Sequence, residues 1–164
     1  MRFFCQKIRS LHLRGWALAN NKVEGRTKFQ KLVYILKNKG VNFKHKFNYH
    51  YFGPYSADLQ LEIEELVDQG ILMEKSFNPY IYQVKDEWIK SINTDMLKDK
   101  KRLIEYLNSQ DYQELELVAT IYYLVNTGIE DEKVIRNKLK ILKPNLSHKI
   151  DSAFKIYDCL QNKA

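Results

Sequence analysis

Apolar residues in the first forty positions repeat with the period of an α-helix. A first helix is predicted from about Lys7 to Asn20, and a second from Thr27 to Lys39. Thr27 and Gln30 have the spacing of a capping box, in which each side chain bonds the other residue's backbone N–H. The core stripe of the second helix is predicted to contain Phe29, Leu32, Val33 and Leu36. A neighbouring stripe, expected to face solvent, contains Lys28, Lys31 and Lys39.

The next residues predict a strand, a turn and a third helix. Phe47 to Phe52 is rich in aromatic residues, which favours a strand, and Gly53-Pro54 is typical of a turn. Ser56 is placed to cap the N-terminus of the third helix, and Gly70 is placed to end that helix. Gly40 is expected to end the second helix in the same way. The buried face of the third helix is predicted to contain Leu59, Ile63, Leu66 and Val67.

Two β-prone segments, Ile71 to Lys75 and Tyr80 to Val84, are expected to pair as a hairpin. Beyond Asp86 the pattern is helical, and helices are predicted at about 96–109, 112–126, 130–142 and 147–161. The 112–126 helix is apolar on several sides, which favours a central place in a bundle. If the bundle left it uncovered, this helix would form the interface of a homodimer or a groove for another partner.

The order helix, helix, strand, helix, hairpin is that of a winged helix. We therefore predict a mainly α protein with a small β-sheet. A winged-helix-like region would span residues 1–92. A C-terminal helical bundle, residues 93–164, would pack on it within one structural unit. A chain of 164 residues is long enough to bury a sizeable core without disulfide staples.

Charge is distributed unevenly along the chain. The net charge is +7, but residues 1–48 carry +11, residues 49–92 carry −5 and residues 93–164 carry +1. The basic first third suggests an anionic partner, which could be nucleic acid or an acidic protein surface. The acidic middle of the same fold is an equally simple counterpart, because packed elements of opposite sign need no outside partner.

Cysteine use and hydropathy indicate a cytoplasmic protein. Cys5 and Cys159 lie at opposite ends without metal-ligand spacing, so free thiols in a reducing compartment are expected. No apolar run approaches the ~20 residues that cross a bilayer, and the first residues lack the features of a signal peptide. We predict no metal and no cofactor, since the histidines and the dispersed glycines match no metal or nucleotide motif.

One cluster raises the question of catalysis. His50 lies among Tyr49, Tyr51, Tyr55 and Ser56, and His and Ser are a common base and nucleophile. The sequence has no nucleophile elbow and no carboxylate placed to orient His50, so we expect no enzyme. A structural turn that seats the third helix is the simpler interpretation, and a recognition surface is the other.

The third helix carries the wrong charge for binding DNA. In a winged helix this helix enters the major groove. Here its acids are Asp58, Glu62, Glu64, Glu65 and Asp68, with no Lys or Arg to offset them. Phosphates would repel that face. DNA could still meet the second helix and the loop after it, through Arg26, Lys28, Lys31, Lys37, Lys39, Lys44 and Lys46.

Residues 25 to 72 resemble the YwgA family of small bacterial proteins. The resemblance rests on the segment from Gly25 to Ile35, on the segment from Phe47 to Ser56 with its Gly-Pro turn, and on Leu59 and the segment from Leu61 to Leu66. The chain is similar, more distantly, to the Panacea and SocA-like antitoxin domains, which share a basic K-x-Q-K-L-x-Y helix; here Phe29 stands where Leu is commoner. This resemblance implies a winged-helix-like fold and a non-catalytic role. For the Panacea relatives it implies neutralising a toxin by binding it.

Two functional hypotheses follow. The first is a non-enzymatic protein-binding module, such as an antitoxin or a regulatory adaptor. Its partner would be another protein, such as a toxin. Its contact residues would be Arg26, Lys28, Lys31, Tyr49, His50, Tyr51 and Tyr55. The alternative is a winged-helix transcriptional regulator that binds DNA through the basic residues named above.

Overall fold

The computed structural model describes residues 22–75, 80–90 and 95–162. The predicted first helix, Lys7 to Asn20, lies outside the described residues, as does Cys5. The strands are β1 (Lys22–Glu24), β2 (Asn48–His50), β3 (Gly53–Tyr55), β4 (Leu72–Lys75) and β5 (Ile81–Val84). The α-helices are α1 (Arg26–Asn38), α2 (Ala57–Asp68), α3 (Asp86–Ile89), α4 (Lys101–Ser109), α5 (Tyr112–Asn126), α6 (Glu132–Leu142) and α7 (Ile150–Asn162). Two 3₁₀-helices, Asp95–Lys100 and Pro144–Lys149, precede α4 and α7.

The predicted class, mainly α with a small β-sheet, is confirmed. The four C-terminal helices lie close to their predicted positions, although two of them begin as 3₁₀ turns. The winged-helix arrangement of the first part and the boundary at residue 92 stay predictions. One cluster of buried side chains nevertheless includes Ile35 of α1, Tyr82 of β5 and Leu117 of α5.

The main sheet is antiparallel with the strand order β1-β5-β4. The predicted hairpin is confirmed, since β4 pairs with β5 and Leu72 lies opposite Val84. Tyr82 lies opposite Val23 on one side and Glu74 on the other, and its side chain is fully buried. Sequence reasoning missed β1, because a three-residue strand has no recognisable alternation until it pairs with β5.

Helix α1 begins without the predicted capping box. Gly25 is the N-cap, no side chain caps the helix, and Thr27 already lies within the first turn. The prediction was wrong because the side chain of Gln30 is used in a tertiary contact. The C-terminus follows the prediction: Gly40 has φ +85°, and the Val41 N–H donates to the Leu36 carbonyl at 3.0 Å.

Helix α2 follows its predicted pattern. The Ser56 hydroxyl accepts a hydrogen bond from the Leu59 N–H at 3.3 Å, which confirms the predicted cap. Leu59, Ile63 and Leu66 are buried, and Val67 is half-buried against the core. The acidic side of the helix is consequently turned away from the core.

Helix α5 occupies the centre of the fold, as its apolar sequence predicts. Leu115 to Tyr122 are all buried, and α5 packs against α1, α6 and α7. This burial covers the surface that would otherwise have offered a homodimer seam on α5. Two polar residues, Glu116 and Thr120, are buried with the apolar ones. Their contacts define the candidate site.

Candidate functional site

Two polar side chains of α1 hold the backbone of residues 54–56 against the helix. The Gln30 amide makes two bonds with Ser56, donating to its carbonyl at 3.0 Å and accepting from its N–H at 3.0 Å. The Lys31 ammonium donates to the Pro54 carbonyl at 2.6 Å. All three bonds are buried, so losing any one would leave a polar group unsatisfied.

Lys31 is part of the core rather than of the surface. Its residue exposure is 1%, and burial lowers the pKa of its ammonium group from 10.5 to about 7. The nearby Glu116 carboxylate acts in the opposite direction and raises this pKa, while Lys143 lowers it further. The prediction of a solvent-facing stripe is therefore wrong for Lys31, and also for Lys28, which is 8% exposed.

A buried ion pair lies beside Lys31. The Lys143 ammonium is 2.7 Å from Glu116 Oε1, and each side chain is 5% exposed. Lys143 also donates to the Tyr51 carbonyl and lies 5.8 Å from the centre of the Tyr49 ring. The pair thereby connects the end of α6, the middle of α5 and the β2–β3 hairpin. The three ionisable groups, Lys31, Glu116 and Lys143, form a cluster that we call the buried cluster.

Sequence reasoning missed Glu116 and Lys143. One signal for Glu116 was present, because it lies between Leu115 and Leu117 in a run that is apolar on several sides. A carboxylate in such a helix needs a partner when it is buried. Lys143 carried no comparable signal, since it follows α6 at a position that is normally exposed.

Gly53 lets the hairpin lie directly on α5. Its φ is +82°, and a Cβ at this position would be 3.0 Å from Thr120 Oγ1 and 3.8 Å from Lys31 Cε. The Thr120 hydroxyl donates to the Glu116 carbonyl at 2.8 Å, so it is itself fixed in place. A side chain at position 53 would therefore push the hairpin away from the buried cluster.

The hairpin corrects the predicted strand and turn. β2 ends at His50, and Gly53-Pro54, expected as a turn, belongs to β3, with Pro54 opposite Tyr49. The turn consists of Tyr51 and Phe52, which we call the hairpin tip. Tyr51 is 79% exposed and Phe52 56% exposed, and their rings meet edge to face with centres 5.0 Å apart. Tyr51 consequently does not share a strand face with Tyr49.

The other aromatic residues of the hairpin divide between core and surface. Tyr49 is half-buried, its ring centre is 4.9 Å from that of Tyr123, and burial raises the pKa of its hydroxyl. His50 is exposed, with its ring centre 5.3 Å from that of Tyr55. Ser56, considered above as a nucleophile, is 1% exposed, and its hydroxyl caps α2.

A cleft of about 180 Å³ opens beside the hairpin tip. Its volume is below the range of pockets that hold drug-sized ligands, and it is suited to one or two side chains. Lys143 and Glu116 lie at its base. Its apolar lining comprises Tyr51, Phe52, Tyr112, Leu142, Pro144 and Leu146.

The predicted DNA-binding residues mostly have partners within the fold. Arg26 donates to the Tyr82 hydroxyl at 2.8 Å and to Glu74 at 3.2 Å. Four lysines donate to backbone carbonyls: Lys28 to Asn108, Lys31 to Pro54, Lys37 to His45 and Lys39 to Leu160. Lys44 and Lys46 are exposed. The lysines of the basic helix α1 thus bind mainly backbone carbonyl oxygens and not the acidic side chains of α2. Glu62 of α2 instead lies 2.9 Å from His45.

Two further features of the described part of the chain bear on function. Within it, no group of three or more His, Cys, Asp or Glu side chains is arranged to hold a metal ion. None of the helices in residues 22–75, 80–90 and 95–162 has the length and apolar character needed to span a membrane.

Comparison with known proteins identifies a family. The chain is 36% identical over 122 residues to the uncharacterized protein YwgA of Bacillus subtilis (strain 168), which covers 70% of this chain and 72% of that protein. The chain belongs to the YwgA family. No protein-family model matches it, and no solved structure matches it.

The residues that suggested the YwgA family now have structural roles in this member. Gln30 and Lys31 of the basic helix, together with Gly53 and Ser56 of the aromatic segment, form contacts between α1 and the hairpin segment. Lys28 instead donates to the Asn108 carbonyl of α4. Arg26, Tyr49, His50, Tyr51 and Tyr55, the other predicted contact residues, are not brought together on one surface. Arg26 lies against the sheet, while the four aromatic residues belong to the hairpin.

Proposed function

We propose that this YwgA-family protein is a non-catalytic protein-binding module whose contact surface is the hairpin tip and the adjacent cleft. The observation that carries the proposal is the exposure of two aromatic side chains, Tyr51 and Phe52, at a turn. Turns normally carry small or polar residues. Two exposed aromatic rings beside a partly apolar cleft are costly to leave in water and are typical of binding hot spots.

Rigid anchoring of the hairpin supports this proposal. The Tyr51 carbonyl accepts from Lys143, the Pro54 carbonyl accepts from Lys31, and Gly53 lies against Thr120. These contacts come from α1, from α5 and from the residue that follows α6. A hairpin fixed in this way loses little conformational freedom on binding, which favours affinity.

The site's chemistry also favours binding over catalysis. The Ser56 hydroxyl is buried in its capping role, and His50 is exposed with a tyrosine ring as its neighbour. The cleft has room for one or two side chains but is smaller than the pockets that hold drug-sized ligands. A turnover screen in which His50→Ala lowered activity would count against the non-catalytic proposal.

Co-purification tests the proposal directly. Tagged wild-type protein is expressed in its native host and compared with the double variant Tyr51→Ser/Phe52→Ser. Each hot-spot truncation is expected to weaken binding by ~30-fold, so the variant should lose the co-purifying protein. The matched control is Leu61→Ser/Tyr80→Ser, which removes two other exposed apolar side chains, 59% and 46% exposed.

The control variant should retain the same partner as the wild type. We call Tyr51→Ser/Phe52→Ser the hairpin-tip variant. If it recovered the partner as well as the wild type does, the proposed contact surface would be refuted. The finer assignment, neutralisation of a toxin, is supported only by the distant antitoxin resemblance. It predicts that a neighbouring gene encodes a toxin and that co-expression of this chain restores growth, whereas the hairpin-tip variant does not.

DNA binding remains the alternative proposal. Most of the basic residues expected to meet phosphates already donate hydrogen bonds within the fold, which leaves fewer of their N–H groups available to contact phosphates. Titration of duplex DNA at ~50 mM salt is therefore expected to show no binding, and salt-sensitive binding lost in Lys44→Glu/Lys46→Glu would favour the DNA alternative.

A further inference from the structure

We propose that the outer face of α6 extends the hairpin-tip surface and receives an acidic amphipathic segment of the partner protein. This inference rests on the proposed function and adds the chemistry of the partner. We call the surface formed by Val134, Lys138, Ile141 and Leu142 the α6 face. It adjoins the cleft through Leu142, which lines it.

The α6 face is a second apolar stripe on a helix that already has a buried one. Ile135 and Leu139 face the core, whereas Val134 and Ile141 are 43% and 77% exposed. Residues seven apart lie on the same side of a helix, about 10 Å apart along its axis. A partner helix with apolar residues at the same spacing could therefore contact both side chains.

Exposed apolar side chains are concentrated at this end of the molecule. Of the eight large hydrophobic residues exposed among the described residues, six lie on the hairpin tip, at the start of α5 or on α6. These six are Tyr51, Phe52, Tyr112, Val134, Ile141 and Leu142. Such clustering marks an interaction surface more strongly than single exposed residues do.

Charge determines which kind of segment fits this surface. Lys133, Lys138 and Lys140 on α6 are exposed, and no ion pair with a carboxylate is found for them in the described part of the chain. Of the three acidic residues at the start of this helix, Glu132 pairs with Arg136 at 2.7 Å, Asp131 caps the helix and Glu130 is exposed. Lys138 and Lys140 lie farther along the helix, towards the cleft. The surface is therefore apolar and positively charged, and complementary to a segment that is apolar and acidic.

Binding of designed peptides tests this inference. Three labelled 16-residue helical peptides share Leu and Phe at positions i, i+3, i+4 and i+7, and carry Glu, Gln or Lys at the remaining surface positions. Fluorescence anisotropy at low salt is measured for the wild-type chain, for Lys138→Glu/Lys140→Glu, and for the matched control Lys75→Glu/Lys90→Glu. The control makes the same change of net charge at exposed lysines on β4 and after α3.

We expect the Glu peptide to bind the wild type at least tenfold more tightly than the Gln peptide, and the Lys peptide to bind weakest. Reversal of Lys138 and Lys140 should remove this preference, whereas the control keeps it. In the wild-type chain, the double substitution Tyr51→Ser/Phe52→Ser should weaken binding of the Glu and Gln peptides by the same factor, because the hairpin tip contributes apolar contact.

Equal binding of the Glu and Gln peptides would overturn the acidic assignment and leave the proposed protein-binding function standing. Absence of binding by every peptide would also overturn it. Sedimentation of the wild-type chain alone gives a further outcome. A dimer lost in Lys138→Glu/Lys140→Glu would assign the α6 face to a second copy of this chain instead. Failure of the proposed function is a different result from a different experiment. In the co-purification, the variant Tyr51→Ser/Phe52→Ser would still capture the native partner.

Discussion

Burial of Lys31 should make the stability of this protein rise with pH. In the folded state burial lowers the pKa of Lys31 to about 7, whereas in the unfolded chain it has its ordinary value of 10.5. Between these values the unfolded state binds one more proton than the folded state. Stability therefore increases with pH across this window, and below about pH 7 the full destabilising effect of the buried charge is present.

The size of the effect follows from the same pKa. One pH unit in this window corresponds to about 1.4 kcal/mol. Between pH 7 and pH 9.5 the Lys31 contribution to the free energy of unfolding should rise by about 3 kcal/mol, since part of the first unit is lost to partial protonation of the folded state. Higher pH is avoided because burial raises the pKa of Tyr34 and Tyr49, whose ionisation in the unfolded chain lowers stability there.

Urea denaturation at pH 7, 8, 9 and 9.5 measures this slope. The test compares the wild type with Lys31→Met, which keeps the apolar stem and removes the titrating group. The variant also loses the bond to the Pro54 carbonyl, a cost of about 1–3 kcal/mol that does not depend on pH. The difference between the two proteins should therefore change with pH by about 3 kcal/mol in favour of the wild type.

Lys46→Met is the control, because Lys46 is exposed. Its stability curve should run parallel to that of the wild type. Parallel curves for the wild type and Lys31→Met as well would show that Lys31 titrates in the folded protein as it does in water. The reasoning about its burial would then be refuted.

Four further substitutions test the anchoring of the hairpin by thermal and urea unfolding. Gly53→Ala should destabilise the fold by about 2 kcal/mol or more, since the left-handed backbone and the contact with Thr120 both oppose a Cβ. Gly128→Ala is the control, because Gly128 has φ +91° but open space around it, and it should cost only about 1 kcal/mol. Equal losses of stability at the two glycines would contradict the argument that Gly53 allows a close approach to Thr120. Glu116→Gln and Lys143→Met should each cost about 3 kcal/mol by leaving one buried charge without its partner, and the double variant should cost much less than their sum. Additive losses would show that the pair does not interact.

Local sequence signals predicted most of the helices and the β4–β5 hairpin. Those signals act over a few residues: an apolar stripe at helical spacing, a serine before α2, a glycine after α1. They also suggested that α5 lies at the centre, because a helix that is apolar on several sides has no stable place elsewhere. The candidate site was only partly predicted. Tyr51 was expected in the contact surface, but its place at a turn was not.

The errors arise where long-range contacts decide the structure. Lysine is rarely buried, so Lys31 was assigned to the surface, and only packing against α5 and the hairpin encloses it. Glu116 and Lys143 are 27 residues apart in the chain and meet only when α6 folds back on α5. The predicted capping box is absent for a similar reason, because the Gln30 side chain forms two paired bonds with Ser56, 26 residues away.

By itself the sequence determined the class of the fold, most of its elements and its family resemblance, since these depend on periodicity and on short motifs. The tertiary structure alone decided which lysines face solvent, where the hairpin turns, and which aromatic residues are left exposed. The physical reason is that exposure belongs to the assembled molecule. A side chain such as Lys31 or Phe52 is buried or free according to what distant segments place over it.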